Sequence, residues 1–179
     1  MRRHAVSFEL NGRPVELWIP AHRTLLEVLR EDLGATEVKY GCGEGVCGTC
    51  TVLLDGDSVN ACTVLAVQAA GRTVTTVKGL GDDGDLHPLQ RRFLEHGASQ
   101  CGFCTPGMLV TAVEFVRDHP DARREEIRQA LAGNLCRCTG YAKILDAVDA
   151  YALDRAAGGR SAVTDRPDSR PHVRPQEGR

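Results

Sequence analysis

The sequence predicts an α+β protein, in which a small mixed-sheet domain with one short helix precedes a bundle of four helices. Three observations carry this reading. Apolar and polar residues alternate on either side of Asn11-Gly12 and of Asp55-Gly56. Beyond residue 86 the apolar period changes from two to that of a helix. Between the halves runs Gly79-Leu80-Gly81-Asp82-Asp83-Gly84-Asp85, a stretch of turn formers.

Val6, Phe8 and Leu10 share one strand face, and Val15, Leu17 and Ile19 share another. The intervening Asn-Gly suits a tight hairpin whose central residues take positive φ. Thr24 and Glu27 then form a capping box, with Leu25, Leu26, Val28 and Leu29 on the buried side and Gly34 as the stop. Strands are expected at 51–54, 58–62 and 73–77. Pro88 opens the first helix of the second half, burying Leu89, Phe93 and Leu94. Thr105-Pro106 opens the next, with Met108, Leu109, Ala112, Phe115 and Val116 in one stripe and Pro120 as its end. A third surrounds Ile127, Ala130 and Leu131, with a poorly signalled start because Arg123 is a weak cap. A fourth follows Tyr141 and buries Ile144, Leu145, Val148 and Tyr151. The expected domains are 1–78 for the α+β unit, 79–86 for a linker and 87–155 for the helical unit. Residues 156–179 are Arg, Pro, Gly, Ser and Asp with few apolar groups, so they read as a disordered tail.

Composition removes several function classes. A formal net charge of −2 supplies no field for nucleic acid or anionic lipid. Aromatic residues at 4% leave little for stacking on bases. No stretch reaches the ~20 apolar residues of a membrane span. The segment after Met1-Arg2-Arg3-His4 alternates rather than forming an apolar signal core, so the reading is cytoplasmic. Eight cysteines in that setting favour metal ligation over disulfides.

Cys42, Cys47 and Cys50 have C-x4-C-x2-C spacing, with Cys62 after the second hairpin. This is the plant-type ferredoxin arrangement, in which four thiolates hold one 2Fe–2S cluster. Glycines at 41, 43, 45 and 48 allow the backbone to wrap closely and aim N–H groups at sulfur, offsetting the cluster's negative charge. Zinc prefers paired C-x2-C knuckles. Gly43-Glu44-Gly45-Val46-Cys47-Gly48 also matches G-x-G-x-x-G, but no clear helix follows to receive a pyrophosphate. Cys101-x2-Cys104 and Cys136-x-Cys138 form a second group, each pair leading into a helix. Positive helix ends suit an anionic cluster. By spacing alone 2Fe–2S leads there, with zinc and 4Fe–4S still open. The histidines are scattered without shared metal spacing.

Residues 41–50 (GCGEGVCGTC), 100–107 (QCGFCTPG) and 133–141 (GNLCRCTGY) resemble the small subunit of the xanthine oxidase family of molybdenum hydroxylases. The resemblance spans residues 4–153. It implies a β-grasp, plant-type ferredoxin-like domain followed by a four-helix bundle, and two 2Fe–2S clusters. It further implies a large molybdopterin-binding subunit that oxidises substrate, and a medium FAD-binding subunit that accepts electrons. In that family Gln100 and Cys138 would contact the pterin, Cys138 while also ligating iron. The implied role is electron transfer within an oxidoreductase, with no catalytic residue on this chain. A self-standing two-cluster carrier and a zinc-stabilised interaction module are the rival readings. Substrate identity belongs to the partner.

Overall fold

The computed structural model describes residues 2–81 and 84–158. Strands β1 (Arg3–Leu10) and β2 (Arg13–Pro20) form an antiparallel hairpin in which Val6 faces Leu17 and Phe8 faces Val15. Asn11 turns the chain at φ 51°, and Asp55 turns the second hairpin at φ 54°, as the primed hairpin turns require. In helix α1 (Leu25–Glu27), Thr24 Oγ1 accepts the Glu27 N–H at 3.2 Å while the Glu27 carboxylate accepts the Thr24 N–H at 2.7 Å. After one turn the helix widens into a π-helix, Val28–Asp32.

Strands β3 (Thr51–Leu54), β4 (Asp57–Asn60) and β5 (Thr73–Thr75) complete a five-stranded mixed sheet of order β2-β1-β5-β3-β4, with β1 and β5 parallel. The last strand is shorter than its apolar pattern suggested. Asn11 Oδ1 accepts the Thr76 N–H at 2.8 Å and Thr76 Oγ1 caps Lys78 N–H at 3.3 Å, so the chain turns into a 3-10 helix, Val77–Leu80.

Four helices follow: α2 (Pro88–Glu95), α3 (Thr105–Asp118), α4 (Arg124–Ala130) and α5 (Ala142–Ala156). Helix α5 packs on α2 and α4, and α3 on α2 and α4. The weak start at Arg123 is resolved by Glu126, whose carboxylate accepts the Arg123 N–H at 2.8 Å. Leu94 is exposed rather than buried. No described helix is long and apolar enough to cross a membrane.

All four residues of β3 are buried, because the sheet is covered on both faces there. Val52 and Leu54 join the core with Val6, Phe8, Leu25 and Leu29. Leu53 points the other way, into the core that holds Met108, Val113, Val148 and Tyr151. Helix α3 lies against the β3–β4 hairpin: the Glu114 carboxylate accepts the Ser58 N–H at 2.7 Å and Arg117 donates to the Gly56 carbonyl at 2.8 Å. This double role for α3 buries Val110 and Val113 beyond the stripe predicted from sequence. Leu80, within the expected linker, is fully buried in the helical core, while Asp82 and Asp83 lie outside the described residues. Of the expected tail, Ala156 ends α5 and residues 159–179 lie outside the described residues.

Replacing Leu53 with Ala should lower stability by about 2–5 kcal/mol. Trp18→Ala, at a side chain 63% exposed on β2, should stay within about 0.5 kcal/mol. Denaturant unfolding of the two variants checks the contrast, and equal losses would contradict a core on both faces of β3.

Candidate metal centre

The eight thiols gather into two sets. For the first, Cys42 and Cys47 come from the loop between the π-helix and β3. Cys50 immediately precedes β3, and Cys62 follows β4. Antiparallel pairing of Thr51 with Asn60 returns the chain so that Cys62 stands beside Cys50. Within this set the side chains meet in twos, Cys42 with Cys47 and Cys50 with Cys62.

Their electrostatics differ by position. The Glu44 N–H points at Cys42 Sγ at 3.4 Å and, with the Cys47 thiol and the N–H groups of Val46 and Cys47, lowers its pKa to about 6. Burial pushes the Cys50 thiol up to about 12, with the neighbouring Cys62 adding to the shift. Thr49 Oγ1 donates to Cys47 Sγ at 3.1 Å. Such N–H and O–H donors around sulfur are what stabilise an anionic thiolate site.

Cys101 and Cys104 lead into α3, with Cys104 as its N-cap residue, and Cys136 and Cys138 occupy the turn before α5. Again the sulfurs meet in twos. Cys138 Sγ lies 3.5 Å from Cys101 Sγ, and the Cys104 thiol neighbours that of Cys136. Burial raises the Cys104 thiol to about 12. Burial works against the Cys136 thiolate too, but the Thr139 hydroxyl (3.1 Å) and N–H (3.5 Å) prevail and lower its pKa to about 7. The Phe103 N–H lowers the Cys101 thiol, whereas its pairing with Cys101 raises Cys138. Cys101, Cys138 and Gln100 are exposed, flanked by the exposed side chains of Phe103 and Leu135.

The donor chemistry decides which metal fits. One zinc ion would draw four sulfurs to about 2.3 Å from a common point. Two adjacent pairs of sulfurs per set suit a binuclear core, in which each iron takes two thiolates. His87 is remote from such a role. It caps α2, with Nδ1 accepting the Leu89 N–H at 3.2 Å, and burial lowers its pKa to about 4.

The two sets are joined by a seam. Leu135 N–H donates to the Cys47 carbonyl at 2.9 Å, and the buried Asn134 amide donates to the Gly48 carbonyl at 2.9 Å. A side chain at Gly48 would strike the Gly133 carbonyl, and one at Gly107 would strike the Gly48 carbonyl. Tyr141 donates its hydroxyl proton to the Asn134 carbonyl at 3.0 Å and accepts the Cys136 N–H at 2.9 Å. Its backbone sits at φ 66°, a left-handed conformation that costs a non-glycine residue roughly 1–2 kcal/mol. Sequence reasoning gave Asn134, Thr139 and Thr49 no role and took Tyr141 only as the start of a helix. Asn134 and Gly48 are far apart in the chain, so no local spacing signals their contact.

The matching family models are a 2Fe-2S iron-sulfur cluster binding domain over residues 8–73 and a [2Fe-2S] binding domain over residues 76–149. Fold and matches define a 2Fe–2S iron–sulfur protein. The nicotinate dehydrogenase small FeS subunit of Eubacterium barkeri is 48% identical over 157 residues, which cover 88% of this chain and 99% of that protein. The nicotine 6-hydroxylase small subunit of Paenarthrobacter nicotinovorans is 48% identical over 146 residues, covering 82% and 88%. In quinoline 2-oxidoreductase from Pseudomonas putida 86, a chain 44% identical superposes with a TM-score of 0.83, covering 88% of this chain and 97% of that one. The chain belongs to the small iron–sulfur subunits of the xanthine oxidase, or molybdenum hydroxylase, family, and is an oxidoreductase subunit.

In cluster-free protein at neutral pH, Cys42 and Cys136 should alkylate before Cys50 and Cys104, because Cys42 is mostly and Cys136 partly thiolate while the latter two are protonated. Peptide mass spectrometry after brief iodoacetamide exposure checks the order. Faster labelling at Cys50 would contradict it.

Proposed function

We propose that this chain relays electrons from the molybdopterin centre of a large partner subunit towards an FAD-binding medium subunit. Cys42, Cys47, Cys50 and Cys62 would hold one 2Fe–2S cluster, and Cys101, Cys104, Cys136 and Cys138 the other. The observation that carries this reading is the arrangement of each thiol set as two adjacent sulfur pairs. When bound, each cluster supplies a site that stores one electron. The chain's share is to hold and tune these sites. N–H and hydroxyl groups of Glu44, Thr49, Phe103 and Thr139 aim at sulfur and offset its negative charge.

A ferredoxin-like unit at 1–78 and a four-helix bundle at 87–155, joined by a linker at 79–86, would each carry one thiol set. The two sets differ in access, which supports a direction. Cys101 and Cys138 are exposed, and the apolar side chains of Phe103 and Leu135 beside them suit a large partner's surface. Gln100 is exposed next to Cys101, where its amide can both donate to and accept from the edge of a pterin. Cys138 would add a contact to that pterin while ligating iron. At the other set the exposed Tyr40 and Val46 offer a surface to the flavin subunit. The relatives named above oxidise nicotinate or hydroxylate nicotine by their names, and a heteroaromatic substrate for the holoenzyme is the matching proposal.

Purified with its partners, the protein should contain four iron and four sulfide per chain and show two distinct 2Fe–2S EPR signals on reduction. A colourless, zinc-loaded protein, or isolation as an active monomer without a molybdopterin subunit, would contradict the proposal. Cys47→Ser should abolish the first signal and stop electron delivery to an external acceptor while the second signal persists. Loss of the second signal alone would reverse the assignment.

A further inference from the structure

The seam between the two thiol sets contains more contact than packing alone requires. Cys47 belongs to the first set and Leu135 directly precedes Cys136 of the second. The hydrogen bond from Leu135 N–H to the Cys47 carbonyl (2.9 Å) therefore closes a short backbone path from one set to the other. Two side chains hold that bond from either side. Asn134, 4% exposed, donates to the carbonyl of Gly48, the residue after Cys47. Tyr141 binds the carbonyl of Asn134 and, with the same hydroxyl oxygen, takes the N–H of Cys136. One tyrosine thus grips both flanks of Leu135. It does so from a left-handed backbone conformation, strain of the kind that persists where surrounding contacts over-determine a residue.

Gly48 and Gly107 extend the same device. Each lacks a side chain where one would meet a carbonyl oxygen across the seam, so the loops close to van der Waals distance. We infer that Asn134 and Tyr141 are positioning residues for electron passage between the two thiolate sets, acting by clamping the Cys47–Leu135 hydrogen bond. In that passage one set loses the electron the other gains. No bond forms or breaks and no proton moves. The inference rests on the reading that both sets carry 2Fe–2S clusters, and it assigns roles to residues that ligate nothing.

Tyr141→Phe removes only the hydroxyl, and Asn134→Asp keeps the size while turning an oxygen towards the Gly48 carbonyl. Both are tested in the assembled complex with its partner subunits. Midpoint potentials, the magnetic interaction between the two centres by EPR, and the rate of electron redistribution after a rapid pulse of reductant are measured together. The expected result is a several-fold slower redistribution, after allowance for any measured change in driving force, with a weaker magnetic interaction and both centres fully loaded. Unchanged redistribution with both centres loaded would overturn the inference and leave the assignment of clusters intact. Loss of a centre in both variants would also overturn it, since the residues would then be securing ligands. Absence of two 2Fe–2S signals from the unmutated complex would instead defeat the reading beneath it, and this inference with it.

Discussion

The contact on which the rest of this structure depends is the approach of two backbones at Gly48, where the first thiol loop meets the turn before α5 on one side and the start of α3 on the other. Neither approach tolerates a β-carbon. Peptide groups from both halves consequently meet directly, and their polar atoms are satisfied across the seam: Leu135 N–H by the Cys47 carbonyl and the Asn134 amide by Gly48. Buried peptide groups left unpaired there would cost on the order of 1–3 kcal/mol each. The seam is thus both a close fit and a closed set of hydrogen bonds.

A second consequence is that the two halves are not separate bodies on a string. The β3–β4 hairpin that brings Cys50 and Cys62 together also presents Leu53 to the helical core. The helix that follows Cys104 in turn lies against that hairpin through Glu114 and Arg117. The same elements build both thiol sets and the interface between them. A change in either core is therefore communicated to sulfur positions through rigid pieces of secondary structure rather than through a flexible joint.

The electrostatics of the thiols follow from the same arrangement. Each set contains a thiol strongly raised by burial and a thiol lowered by N–H or hydroxyl donors; in the second set these two, Cys104 and Cys136, are neighbours. Burial alone would keep all of these groups protonated and poor as ligands. Loop backbone turned inward by glycine, with Thr139 at the second set, supplies the opposing field. Exposure then separates the sets. The second lies open at Cys101 and Cys138, whereas in the first Cys50 and Cys62 are buried.

Much of this was legible in the residues themselves, because the signals are local. Asn11-Gly12 and Asp55-Gly56 dictate hairpins through the backbone angles they allow, and Thr24 with Glu27 starts a helix through hydrogen bonds three residues apart. C-x4-C-x2-C and the paired cysteines of the second half announce metal chemistry through spacing a loop can span. What only the tertiary structure decided lies between groups distant in sequence. The partition of sulfurs into pairs, the burial of Leu53 and Leu80 in the helical core, and the clamp of Asn134 and Tyr141 on the seam depend on which surfaces meet. A periodic pattern shows that a face will be buried, but the identity of its partner is set by packing in three dimensions, and no spacing along one chain encodes it.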